Sequence, residues 1–158
     1  MINTIDIQHA CTPKIRIAQK ILRHWVLQTL PVKQQNARLT LRFVDSDEMI
    51  YLNQTYRNQE KTTNVLAFTT DLPSFIQHEY PLLGDVIVCP AVLKTECKAL
   101  NIPFIEHCAH IIIHGVLHLL GHDHQRPTET QRMQRLEIQT LYQLGFSNPY
   151  ATKEHCVK

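Results

Sequence analysis

Ten histidines occur in this 158-residue chain, and six of them (His107, His110, His114, His118, His122 and His124) fall within 18 consecutive positions. An even spread would place about one there. Neutral imidazole is the commonest metal ligand and also moves protons near neutral pH, so such a cluster points to metal or acid–base chemistry. At about 100° per residue, His107, His110, His114 and His118 share an arc of roughly 80° on one helix, and most of the remaining circumference is apolar. A lone histidine in such surroundings reads as a hydrogen-bonded core residue. His114 and His118, one turn apart and followed by Gly121 and His124, instead form H-x-x-x-H-x-x-G-x-x-H. That spacing aims two imidazoles at one point and lets the chain turn so that a third returns.

Three neutral nitrogen ligands with no obvious fourth side chain leave a position for water, as in a catalytic zinc site. A structural site is normally closed by four protein ligands and stays the alternative. Zinc is the metal favoured by ligand type. His110 is expected to line the cleft or support a ligand. Asp123 either orients a ligand imidazole by accepting its other N–H or serves the turn. Metzincin proteases share this spacing but carry a glutamate after the first histidine as general base. Here that position is Gly115, and no Asp or Glu lies between Ile111 and His122.

The elements that must hold these residues read as follows. Ile5 and Ile7 suggest a first strand, and Pro13 is expected to open a helix to about Leu30. Leu39, Leu41 and Phe43 alternate with Arg38, Thr40 and Arg42 in a half-buried strand over 38–44. Asp45 with Glu48 resembles a capping box that starts a helix through Tyr56. Strands are expected over 65–69 and 83–89, joined by a loop carrying Pro73 and Pro81. Helices are expected from Pro90 to Leu100, Pro103 to Leu120 and Pro127 to Leu144, the last with Met133, Leu136, Thr140, Leu141 and Leu144 on one face. The order predicts an α/β (α+β) fold: one mixed, mostly parallel four-stranded sheet covered by about five helices, in a single domain over 1–158.

Composition narrows the function classes. With 44% apolar and 19% charged residues, 4 Gly and 8 Pro, the chain is neither disordered nor fibrous. A domain of this length buries roughly 68–70% of its unfolded surface, so it needs no metal to fold. No apolar run is long enough for a membrane span, and the first residues lack the pattern of a signal peptide, so a cytoplasmic protein with no membrane partner is expected. Five cysteines without a C-x-x-C pair read as reduced thiols. Net charge is only +2, yet seven basic residues and no acidic one lie between Asp6 and Asp45. That third of the chain reads as a surface for a polyanion or as a solvated basic face, with Arg38 and Arg42 together on one strand face.

The segment H-G-V-L-H-L-L-G-H-D-H at 114–124 resembles the signature of the YbeY family of bacterial rRNA-maturation endoribonucleases. T-N-V-L-A-F at 63–68, L-G-D-V-I at 83–87 and the L-G-F-x-x-P-Y run ending at Tyr150 agree in order. The resemblance implies a zinc-dependent, single-strand-specific endoribonuclease. It would act in ribosomal RNA processing, notably at the small-subunit 3′ end, and in ribosome quality control. Single-stranded rRNA and the small subunit or its assembly factors would be its partners. It implies one zinc held by His114, His118 and His124, and a functional role for Arg57. A metal Lewis acid beside a guanidinium suits a phosphodiester, whose cleavage builds charge on phosphoryl oxygens. A zinc protease and a non-enzymatic assembly factor with a structural zinc are the competing readings.

Overall fold

The 38–44 alternation forms strand β2 (Arg38–Val44), in which Leu39, Leu41 and Phe43 are buried while Arg38 stays exposed. In the computed structural model, which describes residues 5–70 and 82–151, β2 lies between β1 (Ile5–Ala10) and β4 (Leu82–Val88) and runs parallel to both. β3 (Val65–Thr69) closes the other edge antiparallel to β4, giving the order β1-β2-β4-β3. This is the mixed, mostly parallel sheet expected from the sequence. Its helices are α1 (Gln19–Thr29), α2 (Ser46–Arg57), α3 (Pro90–Leu100), α4 (Phe104–Leu119) and α5 (Pro127–Gln143). The loop expected to carry Pro73 and Pro81 lies outside the described residues. No helix among the described residues is long and apolar enough to cross a membrane.

The two sheet faces are covered differently. Leu39, Leu41, Phe43, Val86 and Val88 pack with Leu22 and Val26 of α1 and with α4 in the main core. Val44, Leu66 and Ile87 meet Met49 and Leu52 of α2 in a smaller one. α4 contacts β3, β4, α1, α3 and α5, which explains why most of its circumference is apolar. The histidine helix is therefore the central helix, and its side chains are fixed by the core.

Three expectations need correction. The first helix starts at Gln19, not Pro13. Ile15 is buried and Ile17 packs beside it, a spacing of two that seats a non-helical lead segment on the core. The capping box does not form, because no side chain caps α2. Asp45 Oδ1 accepts the Thr12 N–H at 3.0 Å, and Glu48 turns away to Arg42. Arg42 is consequently not an open polyanion contact. Its Nε and Nη2 donate to Glu48 at 2.8 and 3.1 Å, and its Nη1 donates to Gln8 at 2.9 Å, tying α2 to the sheet.

Gly84 shows how tightly β3 sits against β4. Leu39 pairs with Gly84 while Arg38 pairs with Leu82, so Leu83 is an extra residue in β4. Gly84 has φ +138°, and a Cβ there would lie 1.9 Å from the Phe68 carbonyl oxygen. Gly84→Ala should therefore cost about 3 kcal/mol or more, by backbone strain and displacement of β3. Denaturant unfolding checks this; a loss below about 1 kcal/mol would contradict the close approach.

Candidate metal centre and its cleft

His114 and His118 stand one turn apart near the end of α4. The helix stops at Leu119, and Gly121 takes φ +98°, a conformation that side chains resist. The His122 N–H donates to Leu117 O at 3.0 Å, sealing the helix end. Asp123 Oδ1 then accepts the His124 N–H at 2.7 Å, and Thr130 Oγ1 from the first turn of α5 donates to His124 O at 3.0 Å. The returning loop brings His124 to the other two imidazoles.

One nitrogen of each of His114, His118 and His124 lies within 4.8 Å of the others, a group that can hold a metal ion. His114 Nε2 and His118 Nε2 are 3.1 Å apart. Two nitrogens at zinc-bond length and tetrahedral angle would lie about 3.3 Å apart, so the donor pair fits such an ion. Burial, and then the neighbouring His114 and His124, lower the His118 pKa to about 4, which keeps this imidazole an unprotonated donor at neutral pH.

Beneath the cluster lies a carboxylate that sequence reasoning missed. Glu137 of α5 is fully buried. Its Oε2 accepts from His114 Nδ1 at 2.6 Å, and its Oε1 accepts from His110 Nε2 at 2.8 Å and from the Tyr150 hydroxyl. Burial works to raise the Glu137 pKa, but the hydrogen bonds from His110, His114 and Tyr150 outweigh it and hold the group at about 2. His110 is thus a partner of this carboxylate, as its place on the stripe suggested. His107 diverges from the cluster and pairs with Glu96 of α3 at 2.9 Å. Asp123 does not orient a ligand ring: its Oδ1 is 3.9 Å from His124 Nδ1, and its hydrogen bond goes to the His124 backbone.

Acid should destabilise this arrangement. His118 and Glu137 both have folded pKa values below their ordinary ones, so the unfolded chain binds more protons. Their stabilising contributions are present above the unfolded values and are lost as pH falls, first for His118 between about 6.5 and 4, then for Glu137 between about 4.5 and 2. The melting temperature of the metal-free protein is expected to drop through these windows. A flat profile from pH 7 to 4 would refute the neutral, partly buried His118.

The cluster opens into a cleft of about 550 Å³. It is lined by His114, Gly115, His118 and the 121–125 loop together with Thr63 to Ala67 and Arg57. Arg57, at the end of α2, donates from Nη2 to Ala67 O at 3.0 Å, and its guanidinium lies 5.7 Å from the Phe68 ring centroid. The Tyr56 ring meets the edge of Phe68 at 5.2 Å while remaining largely exposed. A Cβ at Gly115 would lie 2.7 Å from Val86 Cγ1 and 3.2 Å from Val65 Cγ2. The helix packs too closely on the sheet for a glutamate at this position. Asp123 is the one acidic residue among the described residues lining the cleft.

Residues 5–145 match the family model described as endoribonuclease YbeY. The chain belongs to the YbeY family. Over 151 residues it is 46% identical to the endoribonucleases YbeY of Legionella pneumophila strains Corby and Lens, with 96% of this chain and 96% of each relative covered. A solution structure of a Thermotoga maritima protein has the same fold, with a TM-score of 0.56 at 22% identity, covering 89% of this chain and 91% of that one. In this YbeY-family chain the three histidines singled out by spacing converge. Arg57, singled out only by resemblance, lines the same cleft although it lies 57 positions upstream of His114. Glu137 carried a readable signal: it is a charged residue among Met133, Thr140 and Leu141 on the buried face of α5.

Proposed function

We propose that this protein is a zinc-dependent, single-strand-specific endoribonuclease. In this reading His114, His118 and His124 are the metal ligands and Arg57 is the phosphate-binding catalytic residue. Its role is ribosomal RNA processing in the cytoplasm, chiefly small-subunit 3′-end maturation and ribosome quality control, in contact with the small subunit or its assembly factors. The observation that carries the reading is one cleft lined both by three convergent imidazole nitrogens and by the Arg57 side chain. Family membership supports the substrate class.

A zinc held by His114, His118 and His124 would supply Lewis acidity and lower the pKa of water there, which would make a dedicated carboxylate base less necessary. The chain's own residues do the rest. Arg57 carries five N–H donors in a planar fork, one of which is anchored on Ala67 O. That anchor and the Phe68 ring fix the plane of the guanidinium so that its remaining donors can meet phosphate oxygens as charge builds on them. The 121–125 loop and β3 set the width of the cleft.

The protease reading loses support at two points. Gly115 has no room for the general base, and the Ala67 carbonyl on edge strand β3, which a peptide substrate would pair with, is occupied by Arg57. The test compares one RNA sequence as a single strand and as a duplex, with casein as the peptide control. Cleavage of the single strand alone, abolished by a chelator and restored by zinc, is expected. Casein turnover would favour the protease. Tight RNA binding without cleavage by the zinc-loaded protein would favour the assembly factor.

A further inference from the structure

Glu137, His110 and Tyr150 are absent from the cleft lining, yet their polar atoms converge directly behind His114. We propose that Glu137 and Tyr150 are positioning residues that set the tautomer and orientation of His114 and thereby the metal affinity of the centre. This inference rests on the metal reading above.

The hydrogen-bond inventory around His114 fixes its proton. A carboxylate only accepts, so the 2.6 Å contact requires that His114 carry its proton on Nδ1. The lone pair is then on Nε2, the atom 3.1 Å from His118 Nε2. Without that acceptor, neutral imidazole divides between two tautomers, and the Nε2–H form presents a proton where a ligand lone pair is needed.

Glu137 is itself over-determined. The Tyr150 hydroxyl and His110 Nε2 both donate to Oε1, so the buried carboxylate cannot rotate away from His114 without giving up hydrogen bonds from half-buried donors. The Tyr150 ring meets His110 edge-on at 5.6 Å. Its backbone N–H donates to Asn148 Oδ1 at 2.8 Å, so a compact turn delivers the hydroxyl. The L-G-F-x-x-P-Y segment thereby carries the far end of a Tyr150–Glu137–His114 chain of hydrogen bonds.

The test uses the full-length protein and two variants, Glu137→Gln and Tyr150→Phe, with zinc affinity read by competition against a chromophoric chelator. Tautomers are read separately from the imidazole nitrogen NMR shifts of the metal-free protein. In the wild type His114 should be in the Nδ1–H form. Glu137→Gln should bind zinc about 10- to 100-fold more weakly and show mixed His114 tautomers. Tyr150→Phe, which keeps the ring and its packing, should lose a smaller factor of about 3 to 10 and serves as the test if Glu137→Gln does not fold. Wild-type zinc affinity in a folded Glu137→Gln, or in Tyr150→Phe, would overturn the proposal, as would an Nε2–H His114 in the wild type. A wild-type protein that binds no zinc would instead overturn the metal reading on which it rests.

Discussion

His124→Ala is expected to abolish tight zinc binding and RNA cleavage together while leaving the metal-free fold intact. Of the three converging imidazoles, His124 is the clean one to remove. Its side chain is 53% exposed, and its backbone contacts to Asp123 and Thr130 do not involve the ring. Truncation at this site creates no cavity and strands no buried partner. His114→Ala should give the same functional loss, but it also takes a donor from the buried Glu137 carboxylate, so stability should fall as well. With two nitrogens remaining, affinity should decrease by orders of magnitude, and cleavage by about 10³-fold or more. Elemental analysis, a cleavage assay and a thermal melt of the metal-free protein check the three parts. A zinc-free His124→Ala that cleaved RNA normally would separate the histidine cluster from the chemistry.

Arg57→Glu is expected to keep zinc and fold and lose cleavage. The side chain sits at the end of α2 on the cleft wall, with one hydrogen bond among the described residues, to Ala67 O. Losing that bond should change stability by no more than about 1 kcal/mol. If Arg57 meets the developing phosphoryl charge as proposed, its loss should lower kcat by about 10²- to 10³-fold, and the reversed charge adds repulsion of the substrate. Arg57→Lys should recover only part of the rate, since an ammonium keeps the charge but not the planar fork or the stacking on Phe68. Normal cleavage by Arg57→Glu would exclude the guanidinium from the reaction.

How much of the fold and the site is legible in the sequence depends on whether the information is local. The spacing of His114, His118, Gly121 and His124 encodes one turn of helix, a positive-φ stop and a return, and all three are local geometry. Strand β2 and helix α3 are equally local, the first by its alternation and the second by Pro90 at its start. The differences are non-local. The capping box fails because Glu48 has a better partner, an arginine on the strand beneath it. Arg42 departs from its expected role for the same reason. The first helix is shorter than its sequence suggests because Ile15 and Ile17 answer to the core rather than to a helical period. Glu137 stands out in the sequence as a charge on the apolar face of α5, but its partners become visible only once α5 is placed behind α4. Gly115 gains meaning in three dimensions: the sequence shows no base there, and the packing shows that none fits.

The most direct measurement of the central claim is metal content combined with cleavage of a defined small-subunit rRNA 3′ precursor by the intact protein before chelation, after chelation and after zinc is restored. The expected result is about one zinc per chain, with cleavage that disappears on chelation and returns with zinc. Undiminished cleavage after complete metal removal, or a fully zinc-loaded protein that leaves every single-stranded RNA intact, would contradict it.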